Sequence, residues 1–153
     1  MIQEGDEAPQ FELPAVRDGA FETIALADYL GDNVAILAFY PGAFNPACSS
    51  DGSGLGLDDL DLFTMQKDVS IFGISGDSVY SHRRFAEEYN LTIPLLSDTR
   101  GRVAEAYGVA VEDPTAGYRT NRAVVVVDPG GEVAYVWMAD DITELPEIDA
   151  VRR

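Results

Sequence analysis

The sequence predicts an α/β fold: a mixed central β-sheet with helices on both faces and an N-terminal β-hairpin. Three observations carry this reading. Short apolar runs, Val34 to Tyr40 and Ala123 to Val127, suit strands covered on both faces. Strand patterns alternate with helix patterns between residues 34 and 108. A last pair of strand patterns brackets Asp128-Pro129-Gly130-Gly131, a strong turn signal.

The elements follow in order. Phe11 to Leu13 and Phe21 to Ile24 flank the turn residues Arg17-Asp18-Gly19 and predict the hairpin. Ala25 to Leu30 reads as a helical turn stopped by Gly31. The run Val34 to Tyr40 ends at Pro41-Gly42, and Asn45-Pro46 then offers a helix start, with Asn as N-cap and Pro at the first helical position. Leu55, Leu60, Leu62 and Phe63 continue a helical spacing to about Gln66. Gly52, Gly54 and Gly56 weaken that helix, each by about 1 kcal/mol against alanine. Val69 to Ser75 is a buried strand, and Ser78 to Tyr89 an amphipathic helix capped by Asp77 or Ser78. Thr92 to Leu96 is a short strand, Arg100 to Tyr107 a helix closed by Gly108, and Ala123 to Val127 with Val133 to Trp137 a hairpin. Leu145 to Arg153 reads as the start of a helix that the chain cuts short. No linker or repeat divides the chain, so residues 1–153 are expected to form one domain.

Composition narrows the function. Twenty-seven acidic residues against ten basic ones give a net charge of −17, and Lys67 is the one lysine. Such a surface repels nucleic acid and anionic membranes, which bind through Lys and Arg. The acidic residues run along the whole chain, as they do in proteins of extreme halophiles, where concentrated salt screens self-repulsion. An acidic protein of ordinary habitat is the other reading. The apolar runs are too short to cross a bilayer, and the opening Met1-Ile2-Gln3-Glu4 lacks the pattern of a secretory signal. A cytoplasmic protein is therefore expected.

One cysteine excludes a disulfide within these residues and a cysteine-only metal cluster. One histidine, His82, leaves too few ligands for a zinc site, and no phosphate-binding loop is found, so no cofactor and no metal are expected. His82, next to Arg83 and Arg84, reads as a solvated residue on the polar side of its helix.

Cys48 is the one sulfur nucleophile. It falls in the first turn of the helix predicted after Pro41, where backbone N–H groups and the helix dipole favour thiolate over thiol. Read alone, it could as well be an inert buried cysteine.

The flanking residues resolve the choice. Phe39-Tyr40-Pro41, with Asn45 four and Cys48 seven residues after the proline, resembles the peroxiredoxin signature Pro-x-x-x-Thr-x-x-Cys. The resemblance extends along the chain. Gly5 to Phe11 is similar to the family's opening, Gly73 to Ser78 and Phe85 to Tyr89 to its middle strand and helix, and Pro94 to Asp98 with Ala106 to Val109 to its third unit. Asn121 to Asp128 is similar to the strand that presents the family's arginine.

The resemblance implies a thioredoxin-like fold and a thiol peroxidase. Cys48 would attack the hydroperoxide, Arg122 would stabilise the thiolate and the peroxide oxygens, and Pro41 would shield the thiolate. Asn45 stands where the family carries Thr, and an amide donates and accepts from different atoms than a hydroxyl does. Asp51 stands where relatives often carry Glu. Ser53 stands where some relatives carry a resolving cysteine. The expected mechanism is therefore of the one-cysteine kind, with a hydroperoxide substrate and an external thiol or thioredoxin-like reductant. A homodimer is compatible with it, with Phe39, Tyr40, Phe44, Tyr135 and Trp137 in the core or at that contact. The competing reading is a degenerate relative that senses oxidation or binds a partner protein without efficient turnover. A thiol-disulfide oxidoreductase would need a second cysteine.

Overall fold

A computed structural model of the chain describes residues 2–43, 68–113 and 117–138. The centre of the sheet follows from its most apolar segments. β3 (Val34–Phe39) and β4 (Val69–Ser75) pair in parallel, and β4 pairs in parallel with β5 (Leu95–Ser97). Parallel strands must be covered on both faces, and Ala35 to Phe39 are all buried. Alternate residues then feed two cores. Ala35, Leu37 and Phe39 enter one, and Ile36, Ala38 and Tyr40 enter the other.

Antiparallel hairpins close the sheet on each side. β1 (Glu12–Arg17) and β2 (Ala20–Ala25) turn at Asp18-Gly19, where both residues adopt positive φ. β8 (Ala123–Val127) and β9 (Val133–Met138) turn at Asp128, whose Oδ1 accepts from the N–H groups of Gly130 and Glu132. The seven-stranded order is β2-β1-β5-β4-β3-β8-β9. Leu26–Tyr29 forms a 3-10 turn after β2.

Helix α1 (Val79–Tyr89) covers the face holding Ile36, Ala38 and Tyr40. Ser78 is its N-cap, accepting from Ser81 N, and Asn90 ends it in the left-handed conformation. Helix α2 (Arg102–Tyr107) covers the other face through Val103, Ala104 and Tyr107. Gly101, its N-cap residue, has no side chain to offer, and the buried Asp98 caps the helix instead, accepting from Val103 N at 3.2 Å and Ala104 N at 2.9 Å.

The hairpin of β6 (Ala110–Asp113) and β7 (Gly117–Thr120) was not anticipated from the sequence. Its strands have four residues each and mix Glu, Asp, Arg and Thr with little alternation, so no period-two signal stands out. The predicted helix from Asn45 to Gln66 and the last helix from Leu145 lie outside the described residues.

Candidate active site

Parallel pairing brings the carboxyl ends of β3, β4 and β5 to one edge of the sheet. Ser75 stands opposite Ser97, and Tyr40 N, just past β3, donates to Ile74 O at 3.0 Å. The antiparallel β8 contributes its amino end to the same edge, since Phe39 pairs with Ala123. Pro41 leaves the sheet here and Arg122 enters it here. Ligands of open α/β sheets dock beyond this edge. Cys48 and Asn45 lie outside the described residues, as do Asp51 and Ser53.

Arg122 is 2% exposed, and its neighbours Thr120 and Asn121 are buried with it. The corner is fixed by two bonds. Asn121 N donates to Val109 O at 2.7 Å, and Arg122 N donates to Asn121 Oδ1 at 2.9 Å. Burying a guanidinium is costly unless dipoles or an anion meet it, so a buried arginine at the edge where Pro41 leaves the sheet suits a site that stabilises developing negative charge.

His82 is not solvated. It is fully buried under the same edge, with partners on β4, on β5 and at the residue that follows β3. Its Nε2 lies 2.6 Å from Tyr40 Oη and 2.8 Å from Ser75 Oγ, and its Nδ1 lies 3.0 Å from Ser97 Oγ. Ser75 Oγ also donates to Asp77 Oδ2 at 2.6 Å, and that carboxylate accepts from Ala43 N at 2.7 Å. Burial lowers the His82 pKa from the ordinary 6.5 to about 4, against the pull of Asp77 in the opposite direction. The ring is neutral at neutral pH, and the 3.8 Å approach of Asp77 to Nε2 is then no ion pair.

The misreading of His82 has a physical source. Arg83 and Arg84 make its neighbourhood look polar, whereas helical geometry puts His82, Phe85, Ala86 and Tyr89 on one stripe at i, i+3, i+4 and i+7. That spacing was the available signal. Phe39 and Tyr40 are core residues as expected, and Tyr135 and Trp137 are half-buried on β9.

Gly73 makes room for the polar cluster. A Cβ there would come within 2.8 Å of Leu95 Cδ2 and 3.4 Å of Tyr40 Cε1. Its bare backbone lets the Tyr40 ring lie over β4 with its hydroxyl at His82.

The architecture has close counterparts. The reduced 2-Cys peroxiredoxin of Plasmodium vivax superposes with a TM-score of 0.81 at 28% identity, covering 97% of this chain and 77% of the other. The peroxidoxin BcpB of Mycobacterium tuberculosis gives a TM-score of 0.77 at 29% identity, covering 94% and 90%. In sequence, the peroxiredoxin Bcp of Escherichia coli is 34% identical over 139 residues, covering 89% of this chain and 85% of its own. A thioredoxin peroxidase of Fasciola hepatica is 36% identical over 148 residues, covering 92% and 73%. The fold is thus thioredoxin-like, as the resemblance implied. The model of the AhpC/TSA family matches residues 4–136, from ahead of the N-terminal hairpin into β9, and the chain belongs to that family, the peroxiredoxins.

Proposed function

We propose that this chain is a thiol-dependent peroxidase in which Cys48 reduces hydrogen peroxide or organic hydroperoxides. The observation that carries the assignment of residues is the buried Arg122 at the sheet edge where Pro41 leads toward Cys48. The Cys48 thiolate attacks the terminal peroxide oxygen, the O–O bond breaks, and the sulfur takes that oxygen as sulfenic acid. The departing hydroxide or alkoxide takes up a proton and leaves as water or alcohol. Negative charge moves from sulfur to the leaving oxygen, so a fixed guanidinium that reaches both stabilises the transition state. Pro41 shields the thiolate, and Asn45 supplies an amide donor in place of a hydroxyl.

The 153 residues hold one cysteine, so the reducing thiol comes from outside them. One external thiol condenses with the sulfenic acid, releasing water and leaving a mixed disulfide. A second thiol frees Cys48 and carries the disulfide away. A thioredoxin-like protein or a small thiol fits that role, and a reducing cytoplasm supplies both. The net charge of −17 supports a salt-rich setting. A homodimer is supported by β9, which among the described residues is the last strand of the sheet, with Met138 exposed and Tyr135 and Trp137 half-buried. The sensor or binding-module reading is not favoured, because the relatives named above are peroxidases and peroxiredoxins.

The test is peroxide consumption with a thiol reductant in high salt. Wild type is expected to turn over, and Cys48→Ser to fall to the uncatalysed rate. Equal rates for the two would reject the assignment.

A further inference from the structure

The cluster around His82 dictates its own proton positions. Asp77 Oδ2 accepts from Ser75 Oγ at 2.6 Å and from Ala43 N at 2.7 Å. Ser75 must therefore spend its hydroxyl proton on Asp77. Its oxygen keeps lone pairs alone, and Asp77 N already donates into them at 3.2 Å. His82 Nε2, 2.8 Å from that oxygen, must then carry the ring proton, shared with Tyr40 Oη at 2.6 Å. Nδ1 is left as an acceptor, and Ser97 Oγ faces it at 3.0 Å.

This is not the relay of a serine hydrolase. There the acid sits on Nδ1 and the serine meets substrate. Here the acid sits on the serine, and Ser75 is fully buried.

We infer that His82, held as the Nε2–H tautomer, is a positioning residue for the peroxidase reaction. Through Ser75 and Asp77 it fixes the N–H of Ala43, and through Tyr40 it fixes the end of β3. The two anchors lie on either side of Pro41-Gly42, so the turn that leads toward Cys48 is clamped before and behind. The role rests on the proposed peroxidase activity, whereas the tautomer does not. Reaction geometry is sensitive to such anchoring, because small misplacements of reacting groups cost large factors in rate.

His82 is the one histidine in the sequence, so its ring nitrogens can be read without ambiguity by NMR of 15N-labelled wild type. At pH 7 the expected spectrum has a protonated, pyrrole-like Nε2 and a pyridine-like Nδ1. A proton on Nδ1, or on both nitrogens, overturns the inference.

The same peroxide assay tests the role. His82→Leu and Asp77→Ala are each expected to slow peroxide attack by about tenfold, the scale of one lost positioning hydrogen bond. His82→Gln, which restores an N–H donor near Nε2, is expected to recover most of that loss. Folded Asp77→Ala or His82→Leu protein with the wild-type rate overturns the role. If His82→Leu does not fold, Asp77→Ala and the wild-type spectrum still decide. A wild type no faster than Cys48→Ser would remove the peroxidase reading and the positioning role with it. Failure of the inference alone is a wild type that outpaces Cys48→Ser while its ring proton sits on Nδ1.

Discussion

The two helices stand on opposite faces of one sheet and are held by different physics. α2 buries Val103, Ala104 and Tyr107 in an apolar core, and its polar atoms are satisfied nearby: Tyr107 Oη donates to Pro9 O at 2.7 Å, and Asp98 caps the first turn. α1 buries Phe85 beside a histidine whose partners come from β4, β5 and the residue that follows β3. Apolar burial tolerates small shifts because it has no direction, whereas a chain of hydrogen bonds holds only in one arrangement. The directional face is the one that ties down the turn at Pro41. α2 serves mainly to close the fold, and α1 also sets the geometry of an edge.

The comparison breaks most clearly at Tyr107. It is fully buried and meets Phe39 and Phe11 with ring centroids 5.4 and 6.4 Å away. Tyr107→Ala should lower unfolding free energy by about 3–5 kcal/mol, as large aromatic truncations do. Denaturant titration measures the loss. The fraction that stays folded should consume peroxide at nearly the wild-type rate. A proportionate fall in rate per folded molecule would show that the α2 face also sets the site.

A smaller effect should appear on the α1 side as pH changes. Above pH 6.5 the His82 ring is neutral in both folded and unfolded chains, and its full contribution is present. As pH falls from 6.5 to about 4, the unfolded chain binds a proton that the folded one refuses, so stability is lost. The loss should approach roughly 3 kcal/mol at its limit. Carboxylates titrate in the same window, so the quantity to measure is the difference between wild type and His82→Gln at pH 7 and pH 4.5. A difference that does not change with pH would mean that the ring is already charged, or already wet, in the folded protein.

The smallest expected effect lies on the outer surface. Arg17 and Glu22 form a two-pronged pair across the β1–β2 hairpin, at 2.9 and 2.7 Å. Both side chains are about a third exposed, so Glu22→Gln should cost about 0.2–1 kcal/mol in dilute buffer and less at molar salt. The whole protein should respond in the other direction. With −17 on a small domain, melting temperature should rise as salt screens the repulsion, since the Debye length falls from roughly 30 Å at 10 mM to about 3 Å at 1 M. A melting temperature indifferent to salt would argue against a salt-rich habitat.

Most of the sheet was legible because its strands carry strong local patterns. The runs at Val34 and Val69, the turn at Asp128-Pro129 and the cap at Ser78 each needed only neighbouring residues to be read. The hairpin of β6 and β7 was not legible, because its four-residue strands carry no period-two alternation to mark them. For the site, Pro41 and Arg122 were candidates through family resemblance alone, and the pairing of Phe39 with Ala123 puts both at one edge. His82 was missed because its partners, Tyr40, Ser75 and Ser97, are scattered along the chain, and only the helical stripe hinted that it faced inward.

The pairing of β3 with β8 also has a consequence in time. Its two strands are separated by most of the chain, and β4, α1, β5 and α2 lie between them. Long-range pairing is slow, since loop closure must be accomplished before any contact rewards it. On a ribosome, the β1–β2 hairpin and the parallel centre can form while Arg122 is still unsynthesised. Until β8 arrives, β3 has an open flank of unpaired backbone, and the edge at Pro41 lacks the corner that holds Arg122. A nascent chain of this design shows its stickiest edge in that interval.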